Sequence, residues 1–228
     1  VWGIAEDTAF PLVDLNGDLI EFYGSNPSGH PLTVIINSLA NSIYMRYSYI
    51  LCNPDKEVDS FKKNVKLMTY GDDNVLNISR DIDFYNHTSI QASLKSVGIT
   101  YTMADKEAES VPFLHISQIS FLKRTWRWDD DVGAILAPLE ETSIIKSLMV
   151  ATYKKSIPKE QHMMECINAA VREYFNYGRD IFEQQCLMLK EIIYENKLDN
   201  WITPSIFPTY SELKKSFWDA SRKRQQTD

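Results

Sequence analysis

The chain has 228 residues, enough for one large or two small domains, and its 44% apolar and 24% charged content is ordinary for a soluble globular protein. A net charge of −7 argues against a protein that coats nucleic acid with a wholly basic surface, while leaving room for a local basic track. No apolar run is long enough to span a membrane, and the widely spaced Cys52, Cys166 and Cys186 show neither a zinc spacing nor a disulfide framework. Free thiols in a reducing compartment fit that pattern. The opening Val1-Trp2-Gly3-Ile4-Ala5-Glu6-Asp7 lacks the basic start and apolar stretch of a signal peptide, and a start other than Met fits a piece of something longer.

In chain order, Leu12-Val13-Asp14-Leu15 and Leu19-Ile20-Glu21-Phe22 flank Asn16-Gly17-Asp18, the strongest short hairpin signal. The loop Gly24-Ser25-Asn26-Pro27-Ser28-Gly29-His30-Pro31 is dense in turn formers. It feeds a helix over residues 32–50, where Ile36, Leu39, Ile43, Tyr47 and Ile50 recur at steps of three and four. Thr33, Asn37 and Asn41 are four apart and line one polar stripe. That stripe reads either as a solvated face or as a binding face, since a helix start presents free N–H groups. Residues 53–63 form a polar connection, with Pro54 breaking the helix.

Residues 65–70 and 75–78 then read as short strands on either side of Gly71, Asp72 and Asp73. The expected result is a tight hairpin with adjacent carboxylates at its tip. Adjacent acids repel, and a hard divalent cation that takes oxygen ligands, Mg²⁺ or Mn²⁺, would relieve them. Taken alone, the pentapeptide Tyr70-Gly71-Asp72-Asp73-Asn74 reads equally as an ordinary solvated loop.

Asp81 or Asp83 is expected to cap a helix running to about Val97, which Gly98 ends. Residues 99–102 read as a strand, with Ala104-Asp105-Lys106 as a turn after it. Residues 116–124 and 126–128 read as strands, and Asp129-Asp130-Asp131 as a turn before a strand at 132–136. Beyond Pro138 the texture is helical over 140–150, 158–177, 179–197 and 209–220. Pro158 suits a first helical position, Thr209 and Glu212 form a capping box, and residues 222–226 read as a frayed polar end. His30, His87, His115 and His162 show no ligand spacing and read as structural. The fold class is therefore mixed α/β (α+β) over 1–133, followed by a helical part over 134–228.

These stretches together resemble the RNA-dependent RNA polymerases of positive-strand viruses, most closely the picorna-like group. Gly24-Ser25-Asn26-Pro27-Ser28-Gly29 with Thr33, Asn37 and Ser38 is similar to the family's motif B, and Tyr70-Gly71-Asp72-Asp73 to its motif C. Residues 98–106 resemble motif D, Phe121-Leu122-Lys123-Arg124 resembles motif E, and the helical tail resembles the thumb. The resemblance implies a right-hand palm, with an antiparallel sheet and a carboxylate hairpin, followed by an all-helical thumb. It implies an RNA-directed RNA polymerase, a nucleotidyltransferase adding NTPs to an RNA 3′ end by two-metal chemistry.

In that frame Asp72 and Asp73 would be the metal ligands. Ser28 and Asn37 would help to tell ribose from deoxyribose through the 2′-OH, with Thr33 supporting them. Gly29 would let the loop flex and approach the nucleotide. Lys106 would protonate the leaving pyrophosphate, although from the residues alone it reads equally as a solvated turn lysine. Lys123 and Arg124 would touch primer or nucleotide phosphates. Implied partners are RNA template and primer, ribonucleoside triphosphates and other viral replication proteins, at membrane-associated complexes in host cytoplasm. The family's motif A, with its own metal-binding Asp, and its fingers are not found, so the isolated chain is expected to be inactive. A reverse transcriptase-like enzyme and a non-catalytic RNA-binding module derived from palm and thumb are the alternatives.

Overall fold

The computed structural model describes residues 2–24, 26, 28–150, 156–203 and 206–225, with side chains placed as far as Arg222. Its contacts divide it into two units, 1–114 and 115–228. Residues 115–133, which the sequence groups with the first part, thus pack within the second.

In the first unit, α1 (Trp2–Ala9) precedes the hairpin β1 (Leu12–Leu15) and β2 (Asp18–Glu21). Asn16 at φ +56° and Gly17 at φ +96° make the tight turn that Asn-Gly predicts, and Asp14 Oδ1 accepts the Gly17 N–H at 2.8 Å. The helix α2 (Thr33–Cys52) follows, then the single turn α3 (Phe61–Asn64). The strands β3 (Val65–Tyr70) and β4 (Asp73–Ile78) pair antiparallel from Val65↔Ile78 to Tyr70↔Asp73. Helix α4 (His87–Ser96) closes the unit. It begins later than the aspartates at 81 and 83 suggest. Asn86 is its cap, accepting from Ser89 N, while the Ser89 hydroxyl accepts from Asn86 N.

The core of this unit is aromatic. Tyr49 packs against Phe61, Phe84 and Tyr85 with ring centroids 5.2 to 5.4 Å apart. The buried Tyr85 hydroxyl is satisfied by Met45 O at 2.7 Å and Ser48 Oγ at 2.9 Å. Helix α2 therefore turns its Asn41, Met45, Ser48 and Tyr49 face inward. Of the periodic stripe that the sequence makes prominent, Ile50 packs at the core, whereas Leu39 is 61% and Ile43 64% exposed. Residues 99–102, expected to be a strand, are irregular. Tyr101 instead docks on β4 and α4 through side chains.

The second unit carries the hairpin β5 (Arg127–Asp129) and β6 (Ala134–Leu136), then α5 (Glu141–Met149), α6 (Lys159–Tyr174), α7 (Arg179–Glu195) and α8 (Tyr210–Gln225). Its core joins Ile144, Ile167, Val171, Phe182, Leu189 and Ile193. The inward positions of α7 are the ones that its periodicity predicts. Thr209 and Glu212 cap α8 reciprocally. The helix runs on through Gln225, where the sequence suggests fraying. Residues 116–124 are not a strand. Leu122 at φ +53° and Lys123 at φ +59° form a tight turn closed by Phe121 and Arg124, whose N–H groups each donate to the other's carbonyl at 3.0 Å.

Candidate active site

The turn between β3 and β4 has two residues, Gly71 and Asp72, because Tyr70 pairs directly with Asp73. Gly71 sits at φ +64°, a conformation that side chains disfavour at the first position of such turns. Asp73 therefore opens β4 rather than sitting in the turn. The two carboxylates stand next to each other, Asp72 exposed and Asp73 half-buried.

Helix α2 grips this turn. Ser38 Oγ accepts the Gly71 N–H at 2.8 Å and donates to Val34 O at 2.6 Å. Asn41, only 7% exposed, turns Nδ2 toward three successive carbonyls: Asp72 at 2.9 Å, Gly71 at 3.3 Å and Asp73 at 3.4 Å. Its Oδ1 accepts from Asn74 Nδ2 at 2.9 Å. Asn74 Oδ1 in turn accepts from the Tyr101 hydroxyl at 2.8 Å, and Gln91 Nε2 on α4 donates to Tyr101 O at 2.9 Å. Burial pushes the Tyr101 phenol up to about 12; its bond to Asn74 works the other way, and the nearby Asp73 charge adds to the rise. Every polar atom of the Asn41 amide is thus spent on the hairpin. Of the two readings of the α2 stripe, a solvated face fails at Asn41.

One turn earlier on α2, Asn37 faces the loop. Its Oδ1 accepts from Asn26 Nδ2 at 2.8 Å, and Thr33 Oγ1 donates to Asn26 Oδ1 at 3.1 Å. The Asn37 Nδ2 has no acceptor among the described residues. Ser28 and Gly29 are exposed beside this cluster, Gly29 at φ +88°. Ser25 and Pro27 of the expected loop motif lie outside the described residues.

Lys106 lies in an exposed turn where Asp105 Oδ1 accepts from Glu107 N at 3.1 Å, and it forms no salt bridge among the described residues. Lys123 and Arg124 belong to the second unit. Arg124 is committed to protein: Nη1 and Nη2 reach Glu173 at 2.8 and 2.7 Å, and Nη1 also reaches Ala137 O at 2.9 Å. Lys123 stays largely in solvent, 3.7 Å from Glu140.

Sequence alone assigns no role to Tyr101 or Gln91, and it places Asn74 beside the hairpin without its bonds. Asn41 stands on the polar stripe, one turn after Asn37 and leading to the hairpin. For Tyr101, 27 residues from its partner Asn74, no local pattern carries the contact.

Asp72 and Asp73 supply the hard oxygen donors that Mg²⁺ takes. No group of three or more His, Cys, Asp or Glu suited to a metal forms among the described residues.

A family profile described as viral RNA-dependent RNA polymerase matches residues 9–185. The Replicase polyprotein of Cricket paralysis virus is 31% identical over 203 residues, covering 86% of this chain and 11% of the polyprotein. The Replicase polyprotein of Drosophila C virus is 34% identical over 166 residues, covering 70% and 9% respectively. The RNA1 polyprotein of Cowpea mosaic virus is 28% identical over 215 residues, covering 89% and 11%. The chain thus spans only about a tenth of the length of these relatives.

Proposed function

The chain belongs to the viral RNA-dependent RNA polymerase family, in its picorna-like group, and from that premise we propose that it is the palm and thumb of an RNA-directed RNA polymerase. The observation that carries the reading is the Gly71-Asp72 turn held by Ser38 and Asn41 from the same helix face that presents Asn37. One rigid element thereby fixes both a carboxylate tip and an amide donor suited to a ribose hydroxyl.

Asp72, exposed at the tip, is the direct metal ligand, and Asp73 is the second. Divalent metal bound there would neutralise triphosphate charge and hold the attacking and leaving oxygens. Asn37 donates Nδ2 to the 2′-OH, the group that separates RNA from DNA, with Asn26 and Thr33 orienting it and Ser28 and Gly29 closing on the sugar. Lys106, in no salt bridge among the described residues, is the proton donor and charge clamp for pyrophosphate. Lys123 meets backbone phosphates, while Arg124 fixes its turn. RNA template, primer and ribonucleoside triphosphates are the partners, together with other replication proteins of the virus. The site of action is membrane-associated replication in host cytoplasm, and no helix among the described residues is long and apolar enough to cross a membrane.

With its metal donors limited to Asp72 and Asp73, this chain by itself binds Mg²⁺ poorly and does not extend a primer. The test is Asp72→Ala in the longer polymerase, which should abolish synthesis and leave RNA binding largely intact. Synthesis that survives this change removes the metal assignment. Primer extension by the 228-residue chain removes the claim that it is inactive alone.

A further inference from the structure

On the side of the first unit where α2, α3 and β3 meet, an open pocket of about 350 Å³ is lined by Ser42, Arg46, Lys62, Lys66 and Thr69 over a floor that includes Phe61. Three cations converge there in a chain whose net charge is −7, and no acidic residue lines the pocket. None of the three forms a salt bridge among the described residues. Two of the three side chains are held by protein contacts. Arg46 Nη1 donates to Ser42 O at 2.9 Å and to Ser42 Oγ at 2.5 Å, and its guanidinium lies 4.8 Å over the Phe61 ring. Lys66 Nζ donates to Lys62 O at 3.1 Å, leaving two of its N–H bonds for another partner.

Like charges held together repel, and an anion offsets that repulsion. A donor set of one guanidinium, two ammonium groups and two hydroxyls, with no carboxylate, matches a phosphate. The volume lies at the small end of ligand sites. We propose that this pocket binds the phosphate of a ribonucleotide, delivered either by a free nucleotide or by an RNA strand. The lining shares no residue with the Gly71-Asp72 turn, and the choice of a ribonucleotide as the source of the phosphate rests on the polymerase reading.

The experiment uses the 228-residue chain with three probes. Inorganic phosphate and AMP are titrated by calorimetry, and a fluorescein-labelled tetrauridylate by anisotropy, each at low and physiological salt. The expected result is binding that weakens with salt and falls about tenfold in Lys62→Gln/Lys66→Gln, from the loss of two charge contacts. Both lysines are exposed, so folding should survive, and far-UV circular dichroism checks it. A charge control, Lys63→Gln/Lys95→Gln, should bind as the wild type does. Tighter AMP than tetrauridylate assigns a free nucleotide, and the reverse assigns RNA. Absence of binding by all three probes overturns the proposal, and so does equal weakening in the pocket variant and the charge control. Asp72→Ala should leave this binding unchanged, which keeps its failure distinct from failure of the metal assignment.

Discussion

Replacing Asn41 with alanine tests whether helix α2 holds the carboxylate turn. The wild-type amide makes two strong bonds, to Asp72 O and from Asn74 Nδ2, both at 2.9 Å, and two longer ones to Gly71 and Asp73. Alanine removes all four and leaves the Asn74 amide and the turn carbonyls competing for water at a site that is 7% exposed. Two net hydrogen bonds at about 1 kcal/mol each give a local loss of about 2 kcal/mol. Amide exchange in the β3–β4 turn should accelerate about 30-fold if local opening governs it. Mass-resolved hydrogen exchange reads this directly, with α7 in the other unit as an internal reference that should not change. Asn41→Asp keeps the size but loses the donor, so it should match or exceed the alanine effect. Exchange at Gly71 unchanged within about twofold, an effect under 0.5 kcal/mol, would refute the clamp.

Tyr101→Phe should cost about 1 kcal/mol at neutral pH by removing the bond to Asn74, read from the urea midpoint. Burial pushes the wild-type phenol up to about 12, above its unfolded value, so its contribution is present below the unfolded pKa of about 10 and lost as pH rises toward the folded one. The variant should show one fewer late-ionising tyrosine by absorbance, and an unchanged count would sink the assignment. Asp129 behaves in the opposite sense. Burial works to raise its carboxyl, but the Val132 N–H and Arg127 outweigh burial and hold it below the usual range. That stability is present above the unfolded carboxylate value and is lost as pH falls through the lower folded one. Four of the five tryptophans (126, 128, 201 and 218) lie in the second unit, so fluorescence should report its acid unfolding, and Asp129→Asn should flatten that acid limb. Glu173→Gln removes one charge of the bidentate Arg124 pair. It should lower the urea midpoint of the same unit by about 1 kcal/mol, discounted for partial exposure. A midpoint that does not fall would count against Arg124 as the fixing residue.

The elements that could be read from the chain are those with a local cause. Asn16-Gly17 dictates its turn, the spacing of Phe182, Cys186, Leu189 and Ile193 gives α7 its buried face, and Thr209 with Glu212 caps α8. The failures have a nonlocal cause. Periodicity makes Leu39 and Ile43 a helix face without saying what covers it, and the α2 face that does pack contains Asn41 and Ser48, which composition would send to solvent. At Leu122 and Lys123 the backbone adopts left-handed values that neither residue type announces, so an apolar run that reads as strand becomes a turn. The candidate site divides in the same way. Asp72 and Asp73 are proposed from the hairpin pattern and Asn37 and Ser38 from the resemblance to motif B, whereas Asn74 and Tyr101 are joined by a bond across 27 residues.

The reach of Asn41 from helix to hairpin has a mechanical consequence. Asn37 and Asn41 lie four residues apart on one stiff rod, about 6 Å along its axis. On the proposed function, a sugar sensed at Asn37 and a metal held at Asp72 would share a chassis, and neither could shift without carrying the other. In the loop, Asn26 is latched to that chassis through Asn37 and Thr33. On the proposed function, a wrong sugar would be rejected by failing to close the latch, with the carboxylates staying where they are. Selectivity and chemistry could then be tuned separately, the first in residues 24–31 and the second at the hairpin.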